Sequence, residues 1–512
     1  MREHWKKIVI VALVVLVVGV PFVLQPARPA EDRVSGSERL IIYSPHNEQI
    51  RYEFSRAFNE WRIANDKSPV RFDWRAGGGT GDLVRMVRSQ LEARARAGRE
   101  DEGIEADLFF GGGDFEHNRL ARGITITRDG ERLDIPATVP VDIPEDLLNE
   151  VFPQPTLGGN RLYHPGQRWV GVVVSSFGIV YNRDVLEMLD LPEPETWADM
   201  KGPEYFGRIA LADPGHSGAI AATYHIIVQR HGWDEGWRLL RQIFANARYF
   251  TASSSQVPVD VSAGDAAAGM CIDFYGRYQA GAVGGNRVGY VDPQHMTATT
   301  PDPIAILRGA PNQELAREFV LWLLSRQAQR IWQRSVGSPD GPERFELRRQ
   351  PIRRDLYQDP EEKRYWTDPE VDPFATAQPL PEAMPDFYMM IAPVAQAIAI
   401  DIHANAAAAW RAINEIPEDD PRRAEMVELF ERMPPELRVN WPDEDLAASW
   451  REALEDRGHP RHEEAVEALS AFGERLTNDY VRNRHNLQRA RLDWTRFFRE
   501  NYRQVVAISR RR

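Results

Sequence analysis

Leu40-Ile41-Ile42-Tyr43-Ser44-Pro45-His46-Asn47-Glu48 is the stretch on which the fold turns. Its four apolar residues, closed by Ser-Pro, predict a short buried strand. Over 48–62, Ile50, Phe54, Ala57, Phe58 and Trp61 recur at helical spacing. Val70-Arg71-Phe72-Asp73-Trp74 predicts a second strand, running into Gly77-Gly78-Gly79-Thr80-Gly81. A second helix opens at Asp82, and a third strand, Ala106-Asp107-Leu108-Phe109-Phe110, stops at Gly111-Gly112-Gly113. Strand and helix in alternation predict a parallel sheet with crossover helices. After a looser, Pro-rich stretch at 136–165 the rhythm resumes. Residues 169–181 read as one long strand, 208–211 as a short one before a helix over 219–231, and 269–274 as another strand. Strands at 287–291 and 303–307 and a helix over 313–333 complete it. Clusters of Gly, Ser, Thr or Asp follow the strand ends, and in an open α/β sheet those ends share the edge where ligands sit.

The 512 residues, 43% hydrophobic and 27% charged, have the balance of a folded chain of several domains, which excludes disorder. A net charge of −13 argues against binding nucleic acid through its phosphates. Cys271 is the only cysteine, so there is no intrachain disulfide, no Cys-based zinc site and no acylated Cys behind the first apolar run. That run, residues 8–24, is uncharged and follows Arg2, Lys6 and Lys7. As a helix it is close to the minimum for crossing a bilayer, with the N-terminus in the cytoplasm and the body exported. We expect an uncleaved anchor holding the protein at the periplasmic face of the inner membrane, the alternative being a cleaved signal and a free periplasmic protein. Residues 25–38 read as a tether. From about residue 343 prolines and charges give way to helical segments at 386–415, 421–434, 443–456 and 461–504. The last stretch is basic, with Trp494, Phe497, Phe498 and Tyr502 interleaved. It reads as a solvated helix packing its aromatics on the body, the alternative being a membrane-surface helix.

No enzymatic motif is present. The glycines at 77–79 open a helix after a strand, but no Lys follows them as in a phosphate-binding loop, and the third glycine of a dinucleotide fingerprint is missing. There is no Gly-x-Ser-x-Gly elbow, and His462-Glu463-Glu464 lacks a second His. We therefore expect a protein that is not an enzyme and needs no cofactor. Backbone amides at a helix start can still hold an anionic oxygen.

Several segments, in order, resemble bacterial extracellular solute-binding proteins of ABC transporters, in the branch that includes ferric-iron, phosphoester and phosphonate binders. They are the opening strand through Glu48, Ala106-Asp107-Leu108-Phe109-Phe110, Gly178-Ile179-Val180-Tyr181-Asn182, Trp197-Ala198-Asp199-Met200 and Gly207-Arg208-Ile209-Ala210. Ser217-Gly218-Ala219, Ile272-Asp273-Phe274-Tyr275 and the stretch 311–324 follow. The resemblance covers roughly residues 39–345. It implies a two-lobed α/β fold of the periplasmic-binding-protein type, closing about hinge strands near 169–181 and 288–300. Lobe one would hold about 39–165 and 297–345, and lobe two about 175–290. Residues 1–38 would be anchor and linker, and 346–512 a helical C-terminal region. A permease and its ATPase would receive the solute.

The ligand-binding residues expected from these motifs are Ser44, His46, Asn47, Gly78, Gly79, Thr80, Gly111, Gly112, Gly113, Ser217, Gly218, Ala219, Ser255, Gln256, Asp273 and Tyr275. The ferric branch would use His46, Glu48, Asp273 and Tyr275. This chain has Gly111-Gly112-Gly113 where that branch carries a Glu, and one tyrosine where it carries two. Exposed amides attract an anion that a carboxylate would repel, so a small anionic solute is expected. The alternatives are ferric iron, or a membrane-anchored sensor or scaffold with a degenerate binding domain.

Overall fold

The computed structural model describes residues 38–381 and 384–511. The expected N-terminal anchor lies outside the described residues, and among those described no helix is long and apolar enough to cross a membrane.

The opening stretch forms strand β1, Arg39–Tyr43, and helix α1, Glu48–Ala64. Asn47 caps α1, its side chain accepting from the Ile50 amide at 3.1 Å. Ile50, Phe54, Ala57 and Phe58 turn inward from that helix onto Phe72, Phe319 and Trp322. β1 pairs in parallel with β2, Arg71–Arg75, and β3, Leu108–Phe110, with α2, Thr80–Arg96, crossing between them. Beyond β3 runs α3, Asp114–Arg122.

The stretch 169–181 is two strands rather than one. β4, Val170–Ser175, lies in the first sheet, and β5, Phe177–Asn182, lies in a second. The chain returns through β9, Val288–Val291, in the second sheet, and β10, Thr300–Leu307, in the first. Between those crossings the second sheet gains β6, Ile209–Ala212, β7, Ala247–Thr251, and β8, Ala268–Ile272. It runs β7-β6-β8-β5-β9. The first sheet runs β4-β10-β3-β1-β2, with Thr138–Val139 beside β10. Asp292 ties the crossings together: it accepts from Ser176 at 2.6 Å and Tyr290 at 2.8 Å, and pairs with Arg277.

Two corrections concern segment ends. The strand expected over 269–274 stops at Ile272, and Asp273 begins the helix Asp273–Ala282. The first sheet also reaches past residue 345: Gln350–Pro351 pairs with β4 on its outer edge.

The C-terminal helices are Tyr388–Ile398, His403–Asn414, Pro421–Glu431, Glu444–Glu455, His462–Leu476 and Arg484–Ser509. The helices expected over 386–415 and 461–504 are each broken, the second by a wide turn at Thr477–Val481. None of this region stands apart from lobe two. Ile391, Val394, Ile413, Phe430, Phe498 and Tyr502 share one continuous core with Trp233, Trp237, Leu240 and Phe244. Arg241, 1% exposed, reaches through that core to the Phe430 carbonyl and sits 5.0 Å from the Phe498 ring centre. Trp494, Phe498 and Tyr502 are fully buried, so the final helix packs its aromatics on the body.

Candidate functional site

A cavity of about 620 Å³ opens between the two sheets. Lobe one contributes His46, Gly78, Gly79, Thr80, Gly112 and Gly113; lobe two contributes Ser217, Gly218, Ala219, Phe274 and Tyr275. The glycine corners therefore share one space, because the parallel strands β1, β2 and β3 end, and the helices after them begin, on the same side of the sheet. Three helix starts face it: α2 begins at Thr80, α3 follows Gly113, and the helix Gly218–His231 follows Ser217. First-turn amides have no intrahelical acceptor and carry the positive end of the helix dipole.

Glycine is required where the walls meet. A Cβ on Gly79 would stand 1.7 Å from the His216 carbonyl oxygen of lobe two. One on Gly112, whose φ is +94°, would stand 2.3 Å from Thr80 Cγ2.

Other expected residues lie off the cavity lining. Ser44 is fully buried and accepts from the His46 amide at 3.1 Å; Asn47 is spent on capping α1. Gly111 donates to the Pro303 carbonyl at 2.9 Å, while its own carbonyl bonds His117 Nε2 at 3.1 Å. Ser255 pairs with Ser253 at 2.8 Å, Gln256 bonds Asp260, and it is Ser253 and Ser254 that reach the lining. Asp273, 1% exposed, accepts from the Phe274 amide at 2.8 Å. Burial, with Asp292 nearby, pushes its carboxyl up to about 7.

The ferric ligand set is not brought together. Glu48 is exposed in the first turn of α1, Asp273 is buried off the lining, and burial pushes the Tyr275 hydroxyl up to about 12. His46 Nε2 lies 3.1 Å from Asp302 and 3.2 Å from Arg349 Nη1, so a guanidinium already stands beside that nitrogen. Among the described residues no group of three or more His, Cys, Asp or Glu could hold a metal ion.

Sequence reasoning missed Asp302, Arg349, Glu116, Asp114 and Tyr388. Arg349, fully buried, pairs with Asp302 at 2.5 Å and donates to Ser175 at 3.0 Å. Burial would raise the Asp302 carboxyl, but Arg349 and His46 outweigh it and bring it to about 2. Burial lowers the His46 imidazole below its ordinary value, against the pull of Asp302. In the first turn of α3, also in lobe one, Asp114 is pushed up to about 6 by burial, by Glu116 and by Asp386. Burial raises Glu116 too, against donation from Tyr388 at 2.6 Å and the Gly113 amide at 3.2 Å. The lining thus holds four carboxylates and neither lysine nor arginine. A signal existed for Asp302, a lone acid between Pro301 and Pro303 in an otherwise apolar strand.

Two lobes joined at Ser176, again between β9 and β10 and a third time by the chain leading to the C-terminal helices, with a cavity between them walled by both, make a two-lobed α/β fold of the periplasmic-binding-protein type. Residues 146–351 match the model of the family described as bacterial extracellular solute-binding protein, and the resemblance read in the sequence is borne out. The phosphoglycerate transport regulatory protein PgtC of Salmonella typhimurium is 30% identical over 168 residues, 32% of this chain and 40% of that protein. An uncharacterized protein of Haemophilus influenzae is 25% identical over 238 residues, covering 46% of this chain and 63% of that one. The matched part thus spans less than two thirds of either relative. The periplasmic binding protein AfuA of Actinobacillus pleuropneumoniae, solved with exogenous fructose-6-phosphate bound, superposes with a TM-score of 0.50 at 16% identity. That match covers 73% of this chain and 98% of AfuA, which is a likeness of fold.

Proposed function

We propose that this protein captures a small, hydroxylated organic anion in the inter-lobe cavity and delivers it to a membrane permease of an ABC importer. The observation that carries the reading is the convergence of three helix starts and their glycine corners on one cavity contributed by both lobes. Amides there suit phosphoryl or carboxylate oxygens. Asp114 and Glu116, and Asp302 beside its Arg349 partner, suit the hydroxyl protons of the same solute. A phosphorylated polyol or hydroxy acid satisfies both the amides and the carboxylates; a bare phosphate satisfies only the amides. PgtC, by its name a phosphoglycerate transport regulatory protein, and AfuA, seen with fructose-6-phosphate, support this solute class. The expected periplasmic setting follows from the same reading.

A binder that prefers the folded state must raise the melting temperature. A thermal-shift panel of 3-phosphoglycerate, fructose 6-phosphate, inorganic phosphate, a polyamine and ferric citrate tests the proposal. The two phosphorylated hydroxy compounds are expected to shift the transition, and phosphate less. A shift by ferric citrate alone, or by the polyamine alone, would overturn it.

A further inference from the structure

The C-terminal region does more than pack on lobe two. Tyr388, the first residue of the helix Tyr388–Ile398, lines the cavity together with Leu380 and Asp386. Its hydroxyl donates to Glu116 of lobe one at 2.6 Å and lies 3.3 Å from the Gly218 carbonyl of lobe two. Its ring stacks on Phe115 of lobe one with centroids 3.9 Å apart, and meets the His225 ring of lobe two edge-on at 5.6 Å. One side chain thus grips both lobes at the cavity. The chain leading to it is held in the same way. Arg230 of lobe two donates to the carbonyls of Gln378 at 2.9 Å and Pro379 at 2.8 Å, and Gln229 donates to that of Pro385 at 2.6 Å. Ala377 packs against the lobe-one core, and Gly158 of lobe one lies against Gln378.

We infer that the helical region is a working part of the binding device: Tyr388 latches lobe one to lobe two across the cavity, so the lobes part only when the C-terminal region lets go. The inference rests on the cavity being the solute site. It also gives that region a role absent from a plain two-lobed trap, because solute exchange and the position of the helices become one equilibrium. The latch is a hydrogen bond to a carboxylate plus a stacked ring, and carboxylate hydrogen bonds are among the stronger ones.

The test is made on solute-free full-length protein, so it is independent of the solute panel. Cysteines placed by Ser89→Cys on α2 and Val259→Cys on lobe two, both exposed, accept nitroxide labels, while Cys271 is fully buried. Double electron–electron resonance should give one narrow distance in the parent protein. Tyr388→Ala should add a longer-distance population, raising the open fraction about tenfold, and Tyr388→Phe, which keeps the stack, should fall between. Arg230→Met, away from the latch itself, should open the lobes in the same direction and keeps the test alive if Tyr388→Ala fails to fold. Distances unchanged in the folded variants would overturn the inference.

Discussion

Gly79→Ala isolates the contact between the lobes. The residue sits at φ −79° and ψ 172°, a conformation alanine adopts freely, so the substitution adds no backbone strain. The new methyl would stand 1.7 Å from the His216 carbonyl oxygen, and ordinary contact begins at 3.4 Å. About 1.7 Å must be found, by the difference of those two distances. Both partners are fixed to backbone, so no rotamer can supply it. The strain falls on the approach of α2 to the Ser217 corner, the contact that would part if the lobes opened. Overpacking costs about 1–3 kcal/mol. If that cost is borne by the closed form alone, solute affinity falls roughly 5- to 150-fold. Titration calorimetry with the solute that shifts melting most measures this, and the labelled pair at 89 and 259 reports the parting directly. Unchanged affinity together with an unchanged distance would refute the idea that this contact is made between lobes that move.

Three further outcomes follow from the same structure. His117 is fully buried and burial holds its imidazole down to about 4, below the usual 6.5. Its contribution to stability is complete above pH 6.5 and is lost as pH falls toward 4, amounting to about 3 kcal/mol at the limit. His117→Gln should flatten urea-derived stability between pH 4 and 6.5, and an unchanged slope would contradict the assignment. Arg349→Met leaves the Asp302 carboxylate buried without its cation and should cost about 3–5 kcal/mol in denaturant titrations, and the double variant Arg349→Met/Asp302→Asn should lose less than the sum of the two single losses. Asn47→Ala removes the α1 cap alone and should cost about 1 kcal/mol without altering solute binding.

The two-sheet body was legible because its strands are short apolar runs ending in Gly, Ser or Asp, a pattern set locally by burial and by turn chemistry. The division of 169–181 at Ser176 was not, since Val170–Ser175 and Phe177–Asn182 are equally apolar and fully buried although they lie in different sheets. Glycine corners could be named from sequence because close approach leaves few alternatives. Ser44, Asn47 and Asp273 could not be separated from them: a polar residue after a strand serves equally well as a cap, an internal hydrogen bond or a ligand contact, and only the partner decides. Arg349 and Tyr388 were out of reach for another reason. Both lie beyond the stretch where strands and helices alternate, and they come to the cavity through long-range packing, against β4 in one case and across both lobes in the other. The carboxylates beside the amides likewise became visible only when the helix starts were brought to one cavity.

The most direct test of the central claim is a crystal structure of the protein grown with whichever phosphorylated hydroxy compound raises its melting temperature most. The account predicts density for that solute between the lobes, its phosphoryl oxygens within hydrogen-bond reach of amides at the starts of α2, α3 and the helix Gly218–His231, and its hydroxyls toward Asp114 or Asp302. Density elsewhere on the surface, with the space between Gly79, Gly113 and Gly218 holding only water, would contradict it.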